Sequence, residues 1–311
     1  MRVVFMGTPD FAVGTLDKLV EEGHQVVGVV TQPDKPRGRG KAMQPTPVKE
    51  AALRHGLEVY QPERVREEEF QTVLRELAPE VIVVVAFGQI IPESILQLPP
   101  YGCLNVHASL LPKYRGAAPI QWAVIDGEKT AGVTIMQMDA GLDTGDMLSF
   151  AEIPLAADET GGSLFDKLSD LGAQLLADTL PKVEAGGIQP VPQPADSPTD
   201  YARMITKEDG RIDWSRPAEE LERRIRGVIP WPGAFSRLNG KTLKVWKAEI
   251  LNEDSSMEPG QIVAAGRDGL TVQTGSGQIR ITDLQMEGKK RMPADAFLRG
   301  YQIEPGTRLG E

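Results

Sequence analysis

Val81-Ile82-Val83-Val84-Val85-Ala86 is the most apolar stretch of the chain, five β-branched residues and an alanine with nothing polar between them. A strand that faces water on one side alternates polar and apolar residues. One without alternation is covered on both sides, as the central strand of a parallel sheet is. The preceding stretches fit such a sheet. Arg2 to Met6 and Gln25 to Thr31 read as apolar strands, and between them Phe11, Thr15, Leu16 and Leu19 recur at helical spacing. Strand, helix, strand at this spacing is a βαβ unit, so the strands run parallel. Helices over Val48 to His55 and Glu67 to Leu77, with a short strand over Glu58 to Gln61, continue the alternation. A dinucleotide-binding version would carry G-x-G-x-x-G in its first turn. Gly7-Thr8-Pro9-Asp10 stands there instead, which argues against a nicotinamide-dependent enzyme.

Ligands of open α/β sheets bind beyond the carboxyl ends of the strands. The central strand ends in Phe87-Gly88-Gln89-Ile90-Ile91, and the next expected strand, Cys103 to His107, would lie beside it. On that strand Asn105 and His107 are two apart and project from one face. An amide N–H polarises a carbonyl oxygen, and an imidazole moves or stabilises charge near neutral pH. After a further expected strand, Ala131 to Met138, comes the turn-rich acidic stretch Asp139-Ala140-Gly141-Leu142-Asp143-Thr144-Gly145-Asp146, which could return a carboxylate to the imidazole. Asn, His and Asp together suit acyl or formyl transfer without a covalent nucleophile. Taken alone, Asn-x-His is also an ordinary polar pair of a core. The single cysteine, Cys103, excludes an internal disulfide and a multi-cysteine zinc site, and reads as a packing residue of its strand.

Residues 186–199, with four prolines, two glycines and no apolar periodicity, read as an extended linker after an amphipathic helix over Ser163 to Val183. The expected organisation is therefore a catalytic domain over 1–189, a linker over 190–204 and a second domain over 205–311. The second domain opens with a charged helix from Pro217 to Gly227. Short strands follow over Phe235 to Leu238, Leu243 to Ile250, Gln261 to Ala264, Leu270 to Thr274 and Gln278 to Gln285, the pattern of a small β-barrel. No apolar run approaches the roughly 18 residues of a membrane span. The apolar N-terminus reads as a first strand rather than a signal peptide, which implies a cytoplasmic protein.

The net charge is -10. Residues 1–189 hold 16 Lys and Arg against 26 Asp and Glu, and the remainder holds 18 of each. Such a field repels phosphate, so a polyanionic partner would need local basic patches. One candidate is the loop from Gln32 to Pro47, where Lys35, Arg37, Arg39 and Lys41 alternate and Asp34 is the only acid. Its four prolines and two glycines predict no regular element, leaving either a solvated linker or a mobile arm for a phosphate backbone. A second patch, Lys244, Lys247, Lys289, Lys290 and Arg291, falls on the barrel strands and their turns.

The run N-V-H-A-S-L-L-P-K-Y-R-G-A-A-P-I-Q-W, followed by G-L-D-T-G-D, resembles the folate-dependent formyltransferases. That resemblance implies a Rossmann-like catalytic domain, an OB-like C-terminal domain, 10-formyltetrahydrofolate as donor and no metal. It implies Asn105, His107 and Asp143 as the catalytic trio, with Asp143 chosen over Asp139 and Asp146 because it fills the L-D-x-G slot. Ser109, Leu110, Leu111 and Pro112 would line the folate site, and the strand-end rule places Phe87, Gly88, Gln89, Ile90 and Ile91 where their backbone groups could meet a flat pterin ring. M-G-T-P-D-F-A, T-Q-P-D-K-P-R-G-R-G-K, A-F-G-Q-I-I-P, I-T-K-E-D-G-R-I-D-W, R-G-V-I-P-W-P-G-A and F-L-R-G-Y are similar to the members that formylate the α-amine of initiator methionyl-tRNA. The two basic patches would then be tRNA contacts, on a monomer. Two alternatives stay open: formyl transfer to another amine, on a sugar nucleotide or purine precursor, and a non-catalytic tRNA-binding module on the same fold.

Overall fold

The apolar run from Val81 forms the middle strand of a seven-stranded sheet, and Val81–Val85 are all buried. The computed structural model describes residues 1–37 and 41–310, with Arg37 described for its backbone alone. In chain order the elements are β1 (Arg2–Gly7), α1 (Asp10–Glu21), β2 (Gln25–Val30), β3 (Lys35–Arg37), β4 (Ala42–Gln44), α2 (Pro47–Arg54), β5 (Val59–Tyr60) and α3 (Glu68–Leu77). Then come β6 (Val81–Val85), α4 (Glu93–Leu96), β7 (Cys103–His107), α5 (Pro119–Ile125), β8 (Thr130–Gln137), β9 (Met147–Pro154) and α6 (Gly161–Glu184). The sheet order is β5-β2-β1-β6-β7-β8-β9. It is parallel through β7, whereas β8 and β9 run antiparallel. The expected parallel sheet thus continues into two reversed strands.

Alternation along each strand divides the core between two faces. Val4, Met6, Ile82, Val84 and Cys103 pack with Phe70 and Leu74 of α3 and Ile95 of α4. On the opposite face, a Cβ placed on Gly172 of α6 would lie 2.8 Å from Val106 Cγ1. Phe11 of α1 meets Phe165 of α6 edge-on, with ring centres 5.3 Å apart. Asn105 and His107 share the face of Cys103, at the end of β7 beyond the α3–α4 cluster.

Two stretches differ from expectation. Residues 32–47 contain the β3–β4 hairpin instead of only irregular chain, with Pro36 opposite Met43. An antiparallel pair alternates bonded and non-bonded positions, so an isolated two-stranded ribbon accommodates a residue without N–H. Residues 186–202 form no helix or strand beyond an isolated bridge at Val191, yet they are bound along the body of the seven-stranded sheet. Val191 and Met147 exchange both backbone hydrogen bonds (2.8 and 2.9 Å), Thr199 Oγ1 accepts from Tyr114 N (2.7 Å), and Ala202 N donates to Arg115 O (2.8 Å).

The chain divides into one compact unit of Met1–Pro119, Thr130–Pro154 and Phe165–Ala202, and another of Ile120–Lys129, Leu155–Leu164 and Arg203–Glu311. Beyond a single 3₁₀ turn (Lys207–Gly210), the second unit carries α7 (Ala218–Gly227), β10 (Ala234–Leu238), β11 (Lys241–Leu251), β12 (Ile262–Gly266), β13 (Gly269–Gln273), β14 (Gln278–Met286), β15 (Met292–Pro293) and α8 (Ala294–Gly300). Its antiparallel strands run β10-β11-β14-β13-β12, with β15 beside β14. The C-terminal residues span the two edges. Leu309 N donates to Gly260 O next to β12 (2.8 Å), and Gly310 N donates to Arg237 O on β10 (2.9 Å). The unit is thereby drawn into the barrel-like form expected of it.

Candidate active site

Asn105 lies on β7 between Val84 of β6 and Met136 of β8. It is half-buried, and its side-chain amide has no hydrogen-bond partner among the described residues. His107, two residues on, is 6% exposed. Its Nε2 lies 3.0 Å from Tyr114 O. A carbonyl oxygen only accepts, so Nε2 carries the hydrogen and Nδ1 is the nitrogen turned toward Asp143. That Nδ1 lies 3.8 Å from Asp143 Oδ1. The separation is too long for a hydrogen bond, and the two groups attract through charge only when the imidazole is protonated.

Asp143 reaches this face by an indirect path. Because β8 is antiparallel, the chain leaves it at Gln137, opposite Leu104 near the start of β7, and Met138 N donates to Cys103 O (2.8 Å). The 138–146 loop then returns toward the other end of β7. Asp139 is used inside the loop, accepting from Gly141 N and Thr144 Oγ1, each at 2.9 Å. Asp143 adopts a left-handed φ of 55° and its Oδ2 accepts from Gly116 N at 2.9 Å. Gly116 has φ 123°, and a Cβ there would come within 2.7 Å of Ala202 O. Of the three acids, Asp143 is the one whose carboxylate faces His107.

The turn after β7 is held from beneath. Thr134, fully buried opposite His107, donates to Ser109 O (2.7 Å) and accepts from Leu111 N (3.1 Å). Ser109 Oγ donates to Lys113 O at 2.6 Å. Ser109 and Leu111 are buried, and Leu110 and Pro112 are half-buried. In the 87–91 stretch, Ala86 takes φ 47° and the chain turns Phe87 inward. Phe87 and Ile91 belong to the core cluster, with Phe87 only 2% exposed. Gln89 is committed to Val65 N (2.9 Å) and Pro62 O (3.1 Å). Gly88 and Ile90 are the exposed members, Ile90 at 81%. Side-chain contact with a ligand from Phe87, Gln89 or Ile91 would therefore require repacking.

The basic patches are placed unevenly. Arg37 ends β3, Lys41 is exposed with φ 49°, and Arg39 lies outside the described residues. On the second unit Lys244 and Lys247 lie on β11, and Lys289, Lys290 and Arg291 follow β14. Lys244 Nζ and the Arg291 guanidinium lie 5.9 and 4.9 Å from the Trp246 ring centre. Arg291 also pairs with Asp283 at 2.7 Å, so it is already engaged. Sequence reasoning missed Arg115 and Gln193, which brace the Asp143 loop. It also missed a cleft of about 570 Å³ on the second unit, bordered by Lys207, Arg211, Trp231, Phe235, Arg237 and Lys244. The exposed tryptophan of I-P-W-P-G was the available signal for that cleft. No group of three or more potential metal ligands is assembled among the described residues.

Comparison with known proteins gives this geometry a family. Residues 1–180 match the formyl transferase model, and residues 204–302 match the formyl transferase C-terminal domain model. The methionyl-tRNA formyltransferase of Agathobacter rectalis is 56% identical over 307 residues, covering 99% of each chain. Among solved structures, the sugar 3N-formyl transferase WlaRD superimposes with a TM-score of 0.67 at 17% identity, over 93% of this chain and 99% of that one. HypX from Aquifex aeolicus, solved with tetrahydrofolic acid, gives 0.61 at 20% identity over 96% of this chain, which spans only 47% of HypX. At those identities the two structures speak for the fold alone. The full-length identity goes further: the chain belongs to the formyl transferases, in the family of the methionyl-tRNA formyltransferases.

Proposed function

We propose that this enzyme transfers the formyl group of 10-formyltetrahydrofolate to the free α-amine of initiator methionyl-tRNA. The observation that carries this reading is the 56% identity, along the whole chain, to an enzyme of that name. The geometry around β7 supports it. The amine nitrogen bonds to the formyl carbon, the carbon–N10 bond breaks, and N10 takes up a proton as the amine gives one up. Asn105, whose amide has no partner among the described residues, donates to the formyl oxygen as charge grows there. Such a donor contributes roughly 3–4 kcal/mol to the transition state. His107 receives and delivers the proton through Nδ1, since Nε2 is tied to Tyr114 O. Asp143, fixed by Gly116, stabilises the imidazolium across 3.8 Å.

The Ser109–Pro112 turn, the backbone of Phe87, Gln89 and Ile91, and the exposed Gly88 and Ile90 are the groups we assign to the folate. Arg37, Arg39 and Lys41, with Lys244, Lys247, Lys289 and Lys290, are assigned to the tRNA backbone, Arg291 being held by Asp283. The reading includes a cytoplasmic monomer, which sedimentation of the pure protein checks for oligomeric state. The decisive assay supplies 10-formyltetrahydrofolate with charged methionyl-tRNA, free methionine or an amino-sugar nucleotide. Formyl transfer to the tRNA-borne amine is expected. Transfer only to the sugar amine, or none to any acceptor, would overturn the reading.

A further inference from the structure

Asp143 holds its carboxylate toward His107 from a left-handed backbone conformation, φ 55°, that a residue with a Cβ keeps only when its surroundings over-determine it. Much of that constraint comes from one side chain of the 186–202 segment, which runs as a strap along this unit. Gln193 Nε2 donates to the carbonyls of Asp143 (2.9 Å) and Gly145 (2.7 Å), the two residues flanking the turn. Gln193 Oε1 accepts from Arg115 Nε at 3.0 Å. The amide orientation is forced, because two carbonyls need the NH₂ and a guanidinium needs the oxygen. Arg115 also donates to Pro194 O (2.7 Å) and Ala195 O (3.1 Å), the two residues that follow the glutamine, so it holds the backbone there as well as the side chain. Its own neighbour, Gly116, supplies the N–H that holds Asp143 Oδ2. One dipeptide thus holds the carboxylate and the glutamine that fixes the backbone behind it. Pro192 and Pro194 flank Gln193, stiffening the strap there.

We infer that Arg115 and Gln193 form a positioning pair for Asp143, making the strap over residues 190–199 a working part of the active site. The inference rests on the proposed role of Asp143 in proton transfer. Neither residue touches the reacting atoms; each acts through the carboxylate. A glutamate at 193 has nearly the same size and would strengthen the tie to Arg115, but it turns lone pairs toward two carbonyl oxygens. If Gln193 merely fastened the strap, glutamate would serve. If it sets the Asp143 turn, glutamate must harm catalysis.

The test measures formyl transfer to methionyl-tRNA in Gln193→Glu, Asp143→Asn and the double variant, each checked for folding by thermal melt. A displacement of about 1 Å at a catalytic group costs up to roughly 100-fold, so Gln193→Glu should lose at least about tenfold in kcat, with KM for both substrates within about twofold. In the Asp143→Asn background the same substitution should change kcat by less than about twofold, because the group it positions is already gone. Arg115→Lys, which keeps the charge and loses the fork, should behave alike and carries the test if Gln193→Glu does not fold. Wild-type kcat in either variant, or a full independent loss on top of Asp143→Asn, overturns the inference. An inactive wild-type enzyme, or Asp143→Asn at the wild-type rate, instead brings down the proposed reaction first.

Discussion

Adjacent residues of β7 separate catalysis from stability, and Asn105→Ala measures the separation. The Asn105 amide is half-buried and bonds to no described residue, so truncation breaks no internal hydrogen bond. The expected stability cost is about 0.5 kcal/mol or less. The catalytic cost is far larger. Loss of a donor aimed at a developing oxyanion removes roughly 3–4 kcal/mol, a fall of about 100- to 1000-fold in kcat. Val106, one residue along, is 3% exposed on the opposite face, where α6 approaches closely enough to require glycine at 172. Val106→Ala removes two buried methyl groups and should cost about 2 kcal/mol of stability while leaving kcat within about threefold. Single-turnover formylation of methionyl-tRNA and thermal melts of both variants give the two axes. A near-normal rate in Asn105→Ala would falsify the oxyanion assignment, and equal stability losses in the two variants would refute the facing of the strand.

Other expectations follow from particular interactions. In the second unit Asp209 accepts from both Arg203 nitrogens (2.9 and 2.6 Å) and from Thr206 N (2.7 Å); the Arg203 pairing first, then the Thr206 bonds, hold its carboxyl well below the usual carboxylate range. Because the folded value is depressed, this stabilisation is complete above about pH 4 and fades as pH falls toward the folded value, so Asp209→Asn should cost about 2–3 kcal/mol at neutral pH and progressively less in acid. A melting difference that grows on acidification would contradict this. Burial pushes the Cys103 thiol up to about 12, so a thiol reagent at pH 8 should leave the native chain untouched and modify one group after denaturation. Lys289→Ala or Lys290→Ala should lower the log–log salt slope of tRNA use by about one unit for each phosphate no longer neutralised, and an unchanged slope removes that residue from the interface.

What could be foreseen from the sequence follows the range of the physical signal. The β6 run and the Asn105–His107 face rest on a period of two, which survives into the fold because each residue's face is fixed by its neighbours. Asp143 had no such signal. Nothing in G-L-D-T-G-D as a pattern says which acid faces the imidazole; that depends on a left-handed turn and on Gly116, a residue 27 positions away. Resemblance supplied the choice where periodicity could not. The inward turn of the Phe87 and Ile91 side chains was illegible for a related reason. A strand's carboxyl end marks the ligand edge, but one left-handed residue, Ala86, sends the next side chain back into the core. The strap at 186–202 misled by composition, since prolines impose extension whether the chain is free or bound.

Why the face proposed for catalysis lies on β7 rather than at the usual crevice can be read from the strand order. From β1 the chain proceeds outward to β2 and β5, then returns to place β6 on the other side of β1, so the direction of winding switches between β1 and β6. Open α/β folds commonly seat their ligand outside that switch. Here the loops that meet there bind one another. Thr8 Oγ1 donates to Phe87 O (2.8 Å), Gln61 Nε2 to Gln32 O and Asp34 Oδ1 (3.1 and 2.6 Å), and Lys49 pairs with Asp34 at 2.8 Å. With that polar net occupying the switch, the polar side chains left for chemistry are one strand further out. There the reversal of β8 becomes decisive. A parallel β8 would release its loop at the carboxyl end, next to His107, with no strand face to cross. The antiparallel strand instead starts its acidic loop beside Cys103, so the return path crosses the face that bears Asn105 and His107. The carboxylate arrives over the imidazole because the sheet changes direction at the strand that carries it.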